Sequence, residues 1–177
     1  MRPAPGEVLH FSEDPGITEF RPHVAMTARQ PIPYVWAVDA EQAPAYWFPR
    51  QCPRAMAWVG DGTTEADRRA VLGAGPETRV HVIEYGWAER FRTARLYAYR
   101  LPAGPFAPIG GRVPYAWVAT ETVAPLGPPE PVGDLLTLHQ QADIQLRFVN
   151  DLWTFWDAVT SSTLGFSGIR LHNATPR

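Results

Sequence analysis

Proline and glycine interrupt this chain too often for any long regular element to run unbroken. Nineteen prolines and fourteen glycines fall among 177 residues, and each proline fixes φ and removes a backbone donor. That share stays below the ~25–30% that marks low-complexity disorder, so the chain reads as a loop-rich folded protein built from short elements. Collagen and coiled coils are excluded. A spanning helix is excluded as well, because no stretch approaches ~18 apolar residues without a charge or a proline. Hydrophobic residues make up 45%, and the length suits a single globular domain over residues 1–177, given ~100–200 residues per domain.

Charge and cysteine narrow the setting. Sixteen basic against eighteen acidic side chains leave a net charge of −2, with no basic excess to neutralise a phosphate backbone, which argues against a nucleic-acid partner. All sixteen basic residues are arginine, so a catalytic lysine, a Schiff base and a phosphate-loop lysine are ruled out. The lone cysteine, Cys52, permits no internal disulfide and no Cys-pair zinc site. Met1 to Glu7 lacks the apolar core of a signal peptide, so the expectation is a cytoplasmic protein without a membrane partner.

Read for periodicity, Val8–Ser12, Tyr34–Val38, Ala55–Val59, Leu96–Leu101, Tyr115–Thr120 and Ile144–Val149 are strands. Glu13-Asp14-Pro15-Gly16 is a turn, and 23–33 reads as loop. Asp39 with Gln42 forms a capping box for a helix from Ala40 to about Phe48, stopped by Pro49. Further helices open at Thr64, at Asp134 through about Gln141, and at Asn150 for Leu152–Val159. Val80 to Phe91 fits both periods, and the spacing of Val80, Ile83, Trp87 and Phe91 favours helix. Residues 102–114 form a proline- and glycine-rich loop or flap. Helices and strands mix without a regular β-α-β period, so the class is α+β. The Trp153, Trp156 and Val159 stripe serves either the core or a homodimer seam.

Three constellations carry chemistry. His10 and Ser12 alternate onto one face of their strand, where an imidazole and a hydroxyl can hold a ribose diol or a carboxamide; the competing reading is a satisfied core histidine. Tyr46-Trp47-Phe48-Pro49-Arg50-Gln51-Cys52-Pro53-Arg54 sets two arginines in a stiff loop, suited to phosphate or carboxylate, with aromatic rings beside them. The plainer reading gives each arginine a local partner and buries Cys52. His81 with Glu84, three apart, would share a helix face; this spacing reads as an ordinary helix surface, and no metal site is assigned.

Leu9-His10-Phe11-Ser12-Glu13-Asp14-Pro15-Gly16-Ile17, Val35–Asp39, Trp47–Arg54, Asn150–Trp153 and Ser167–Leu171 together resemble a family of uncharacterised bacterial proteins, a domain of unknown function. The chain is also similar to ADP-ribosyltransferases in its opening strand with a histidine and a hydroxyl two apart. The strand Val35–Asp39 leading into Ala43–Tyr46, and the Leu96–Leu101 and Tyr115–Thr120 pair, extend that likeness. The resemblance implies a curved, split β-sheet flanked by helices and NAD as the cofactor or ligand. His10 and Glu121 would then be catalytic, with Ser12, Trp36, Tyr46, Arg50 and Arg54 binding the ligand. The late-strand glutamate of that family has no counterpart in Val113-Pro114-Tyr115-Ala116, and Glu121 lies at the strand's far end. Two readings therefore stand: a nucleotide-binding enzyme or degenerate enzyme acting on NAD or ADP-ribose, and a non-catalytic small-ligand-binding or protein-interaction domain.

Overall fold

Short apolar runs bounded by proline and glycine become short strands, and the fold is of mixed α and β composition. The computed structural model describes residues 1–24, 32–110 and 115–177. In chain order these hold β1 (Glu7–Ser12), β2 (Val35–Ala37), a 3-10 turn (Ala43–Tyr46), β3 (Arg54–Trp58), α1 (Glu65–Leu72) and β4 (Arg79–Glu84). A second 3-10 turn (Tyr85–Trp87), α2 (Ala88–Thr93), β5 (Tyr97–Pro102), β6 (Ala107–Ile109), β7 (Ala116–Ala119) and β8 (Glu130–Pro131) follow. Then come α3 (Leu135–Gln141), β9 (Ile144–Val149), α4 (Leu152–Thr160), β10 (Gly165–Ile169) and a last 3-10 turn (Leu171–Asn173). No helix among the described residues is long and apolar enough to cross a membrane. The chain sorts into two compact units, each made of two segments: 1–47 with 95–133, and 48–94 with 134–177.

The first unit holds two three-stranded sheets, ordered β1-β5-β8 and β2-β7-β6. β1 and β5 are antiparallel with Val8 opposite Leu101, His10 opposite Tyr99 and Ser12 opposite Tyr97. Leu9 and Val38 exchange two backbone hydrogen bonds of 2.8 Å, tying β1 to the end of β2. Strand alternation then divides the side chains. Val8 packs with Phe20, Val35, Ala37, Tyr99 and Leu101 on one side, while Leu9 packs with Val38, Ala43, Phe11 and Tyr46 on the other.

The helix expected from Ala40 to Phe48 is a single 3-10 turn. Its N-cap is Gln42, whose side chain makes no capping bond; Asp39 instead holds the turn before it, its carboxylate accepting from the amides of Glu41 and Gln42 at 3.0 and 2.9 Å. Pro44 has no N–H to return to the Ala40 carbonyl, so an α-helix begun there cannot propagate. The loop expected over 102–114 contains β6, and Val113 and Pro114 lie outside the described residues, as do 25–31 of the loop before β2.

The second unit is built on one mixed sheet ordered β10-β3-β4-β9, in which β4 and β9 are parallel and the other pairs antiparallel. Ala55, Ala57, Val80 and Val82 face α1 and α4, packing with Val71, Leu72, Leu152 and Val159. On the opposite face of β4 His81 meets Phe48 and His139, and Phe91 packs against both of these. Burial on both faces explains why the run from Val80 reads like a helix: a strand covered on each side loses its apolar–polar alternation. The helix expected over Val80–Phe91 is therefore corrected to a strand, a 3-10 turn and a six-residue helix.

Two further features close this unit. Arg147 on β9 donates to the Val71 and Leu72 carbonyls at the end of α1, both at 2.7 Å, and Gln145 donates to Leu72 at 3.0 Å. These bonds satisfy carbonyls that a helix C-terminus leaves open. Trp153, Phe155 and Trp156 of α4 pack against the unit's own core. The cap of α4 is Asp151 rather than Asn150, its carboxylate accepting from the amides of Trp153 and Thr154.

Candidate functional site

Five of the seven residues singled out above lie in the first unit, and β1 sorts them. His10 shares its face with Val8 and lies 4.6 Å from the Phe20 ring; its Nδ1 is 2.7 Å from the Trp36 carbonyl oxygen and donates to it. Ser12 is buried, its hydroxyl accepting from the Asp14 amide at 3.1 Å. That bond, with Gly16 donating to the Asp14 carboxylate at 2.8 Å, shapes the Glu13–Gly16 turn. The buried Tyr99 fastens the turn from below, its hydroxyl donating to the Asp14 carbonyl at 2.6 Å and accepting from the Ile17 amide at 3.1 Å.

Tyr46 packs instead with Leu9 and Phe11, on the far side of β1 from His10 and Ser12. Trp36 alternates away from Val35 and Ala37 onto that second side too, its ring edge-on to Tyr34 at 5.8 Å and its indole N–H buried with no hydrogen-bond partner among the described residues. Glu121 is exposed beyond the end of β7. The structure thus brings His10 and Ser12 together on one face, puts Trp36 and Tyr46 on the other, and leaves Glu121 in solvent.

The two arginines of the proline-rich loop separate within the second unit. Arg50 is exposed. Arg54 opens β3 at 3% exposure, donating to the Cys52 carbonyl at 3.0 Å, with its guanidinium 5.0 Å from the centre of the Phe48 ring. A cation this deeply buried needs such contacts to offset its lost hydration. Cys52 is buried too, and burial pushes its thiol up to about 12, against the opposing pull of Arg54 and Arg90.

His81 and Glu84, expected on one helix face, point to opposite faces of β4, so that pairing is corrected. Each has a separate role. His81 and His139 are buried edge to face, rings 5.1 Å apart, with Phe48 and Phe91 around them. The bonds assign a direction. His139 Nδ1 can only donate to the Leu135 carbonyl, at 2.7 Å, which leaves Nε2 to accept from His81 Nδ1 at 3.0 Å. His81 Nε2 then accepts from Arg79 Nε, also at 3.0 Å. Both rings are neutral in this relay. Burial, reinforced by the nearby charge of Arg79, holds His139 down to about 4, and burial with His139 and Arg79 holds His81 well below the ordinary imidazole range.

Glu84 ends β4 beside a cleft of about 390 Å³ lined by residues 84–87, Asn150 and 173–176. The cleft sits past the carboxyl ends of β4 and β9, the adjacent parallel strands, where open sheets containing parallel strands commonly bind ligands. Glu84 is 5% exposed. Its carboxylate accepts from the Leu152 amide at 3.4 Å, from the Thr175 amide at 3.0 Å and from the Thr175 hydroxyl at 3.2 Å, which fixes one wall. Tyr85 is exposed and stacks on Phe148 at 5.9 Å. Arg90 lies 5.2 Å over Trp87. Asn173 Nδ2 donates to the Gln51 carbonyl at 2.8 Å, turning its own carbonyl oxygen the other way.

Compared with known families, residues 9–174 match the model of DUF6886, a family of unknown function. The chain belongs to this family. No curated protein and no solved structure matches it. Across the DUF6886 match lie both the β1 motif and the proline-rich loop, and also every residue of the cleft up to Ala174. The sequence patterns single out no role for Asn173, place Glu84 and Trp87 on a helix and make Asn150 a helix cap. The available signal was positional: Glu84 closes one apolar run, and Asn150 stands between a strand and a helix.

Proposed function

We propose that this DUF6886 protein is a small-ligand-binding module whose site is the cleft at the carboxyl ends of β4 and β9. The carrying observation is the position of that cleft, where Tyr85, Trp87 and Asn150 follow the ends of adjacent parallel strands and Asn173 joins them from the last 3-10 turn. Its size lies in the range of ordinary small-molecule sites. The buried clamp made by Arg54 fits the same reading, because an arginine committed to Cys52 and Phe48 serves the fold of the loop.

A second reading, an NAD or ADP-ribose pocket of the ADP-ribosyltransferase type with His10 and Glu121 as its chemistry, draws its support from His10 and Ser12 sharing one face of β1. One experiment separates the two. Amide and indole N–H spectra of the labelled protein are followed while NAD, ADP-ribose, nucleosides, sugars and amines are added. The cleft reading expects movement of the Trp87 indole and of residues 84–87, lost in Trp87→Ala and kept in His10→Ala. Ligands that move residues 8–12 instead, and cease to do so in His10→Ala, overturn it in favour of the β1 pocket.

A further inference from the structure

We infer that the cleft takes a neutral ring carrying a vicinal diol, as in a free sugar or the ribose of a nucleoside, and discriminates against its phosphorylated form. This rests on the cleft being the binding site, and it names the ligand class from which groups are already committed and which are left.

The committed groups are those an anion would use. The first amides of α4 are capped by acids: Leu152 donates to Glu84, and Trp153 and Thr154 donate to Asp151 at 2.9 and 3.3 Å. The Thr175 amide and hydroxyl also point at Glu84. A helix N-terminus ordinarily welcomes phosphate through its open N–H groups; here two carboxylates of the protein already hold them. Among the described residues the cleft lining includes no arginine or histidine, and its one charged side chain is Glu84. An incoming phosphate would thus meet a buried carboxylate, with no cationic side chain among the lining residues to pair with it directly, Arg90 being spent on the Trp87 ring.

The groups left are neutral. Asn150 is exposed at the end of β9, and an amide offers a donor and an acceptor side by side, the spacing that two adjacent hydroxyls match. Asn173 is oriented by its bond to Gln51, so its carbonyl oxygen is available as a fixed acceptor. Tyr85 and Trp87 are each held by a contact on one ring face, from Phe148 and Arg90 respectively. Their π faces carry the partial negative charge that attracts the C–H face of a saturated ring.

The test titrates the full chain with adenosine, ribose and glucose, and in parallel with AMP and glucose 6-phosphate, reading the Trp87 indole and the Asn150 side-chain amide. At least one neutral probe is expected to move both signals, with its phosphorylated partner at least about tenfold weaker, and with Asn150→Ala and Trp87→Phe each weakening the neutral probe by about tenfold. Binding of adenosine without the free sugars assigns the diol to a nucleoside, and the reverse assigns it to a saccharide. Equal or tighter binding of the phosphorylated probes at these signals overturns the ligand class while the cleft stands. Silence of every neutral probe at about 10 mM, with an amine or other compound moving the same signals, overturns it too. Ligands that map only to β1 remove the cleft itself.

Discussion

Acidification should unlock the second unit through its histidine relay before the carboxylates respond. His139 takes up a proton in the folded protein only at about 4, because burial and Arg79 oppose the charge, whereas the unfolded chain takes it up near 6.5. Between those values the unfolded state holds more protons, so stability rises with pH and falls as pH drops through the window. At about 1.4 kcal/mol per pH unit the full loss is about 3 kcal/mol, of which about 2 kcal/mol has gone by pH 4.5. His81, held lower still, adds its share further down. The geometry supplies the reason: a proton on His139 Nε2 would face the His81 Nδ1–H across 3.0 Å, donor against donor. Urea unfolding at pH 7 and pH 4.5 reads the effect as a midpoint lower by about 1 M, taking ~2 kcal/mol/M for the slope. His139→Gln keeps an acceptor for His81 without the titration, and should lose most of the difference between the two pH values. Nitrogen shifts should report both rings neutral with the proton on Nδ1. Equal pH dependence in parent and variant, or a ring protonated at pH 6, would refute the relay.

Three further outcomes follow from buried contacts. Cys52, with its thiol pushed up to about 12, should resist a thiol reagent at pH 8 in the folded protein and react at once in denaturant. Arg147→Ala removes both guanidinium bonds to the end of α1, for an expected loss of about 2 kcal/mol in urea unfolding, while Arg69→Ala on the exposed side of α1 should change stability by less than about 0.5 kcal/mol. Tyr99→Phe leaves the Asp14 carbonyl and the Ile17 amide without their partner. It should cost about 1–2 kcal/mol and speed hydrogen exchange at residues 14–17; unchanged exchange there would mean the turn is held by the Ser12 and Asp14 side chains without Tyr99.

The sequence was most legible where one local rule acted alone. β1, β5, β9, α1, α3 and α4 lie close to their expected bounds because each combines an alternating or helical pattern with a clear cap or turn. The segment 80–91 was misread because β4 is apolar on both faces, a property conferred by α-helices from distant parts of the chain. β10 escaped notice because Gly165 and Gly168 resemble turn residues; side-chain Cβ atoms at those positions would run into Trp58 and Trp156. The candidate site divided along the same line. That His10 and Ser12 share a face follows from strand period, whereas Tyr46's place on the opposite face depends on where β2 and the 3-10 turn dock. Glu84 and Asn150 are 66 positions apart in sequence, and only the parallel pairing of β4 with β9 makes them neighbours.

The interleaving of the two units bears on synthesis at the ribosome. The first unit lacks β5 until residue 102, β7 until residue 119 and β8 until residue 131 have been made, and β3 of the second waits for β10, its partner through Arg54↔Ile169, until the last residues of the sheet emerge. For most of translation β3 therefore presents an open hydrogen-bonding edge in the apolar run Ala55–Trp58, the kind of exposure that recruits chaperones or a neighbouring nascent chain. The same connectivity means that no single cut yields two self-sufficient halves, and that tags or fusions at the C-terminal side act on a strand whose arrival completes the sheet.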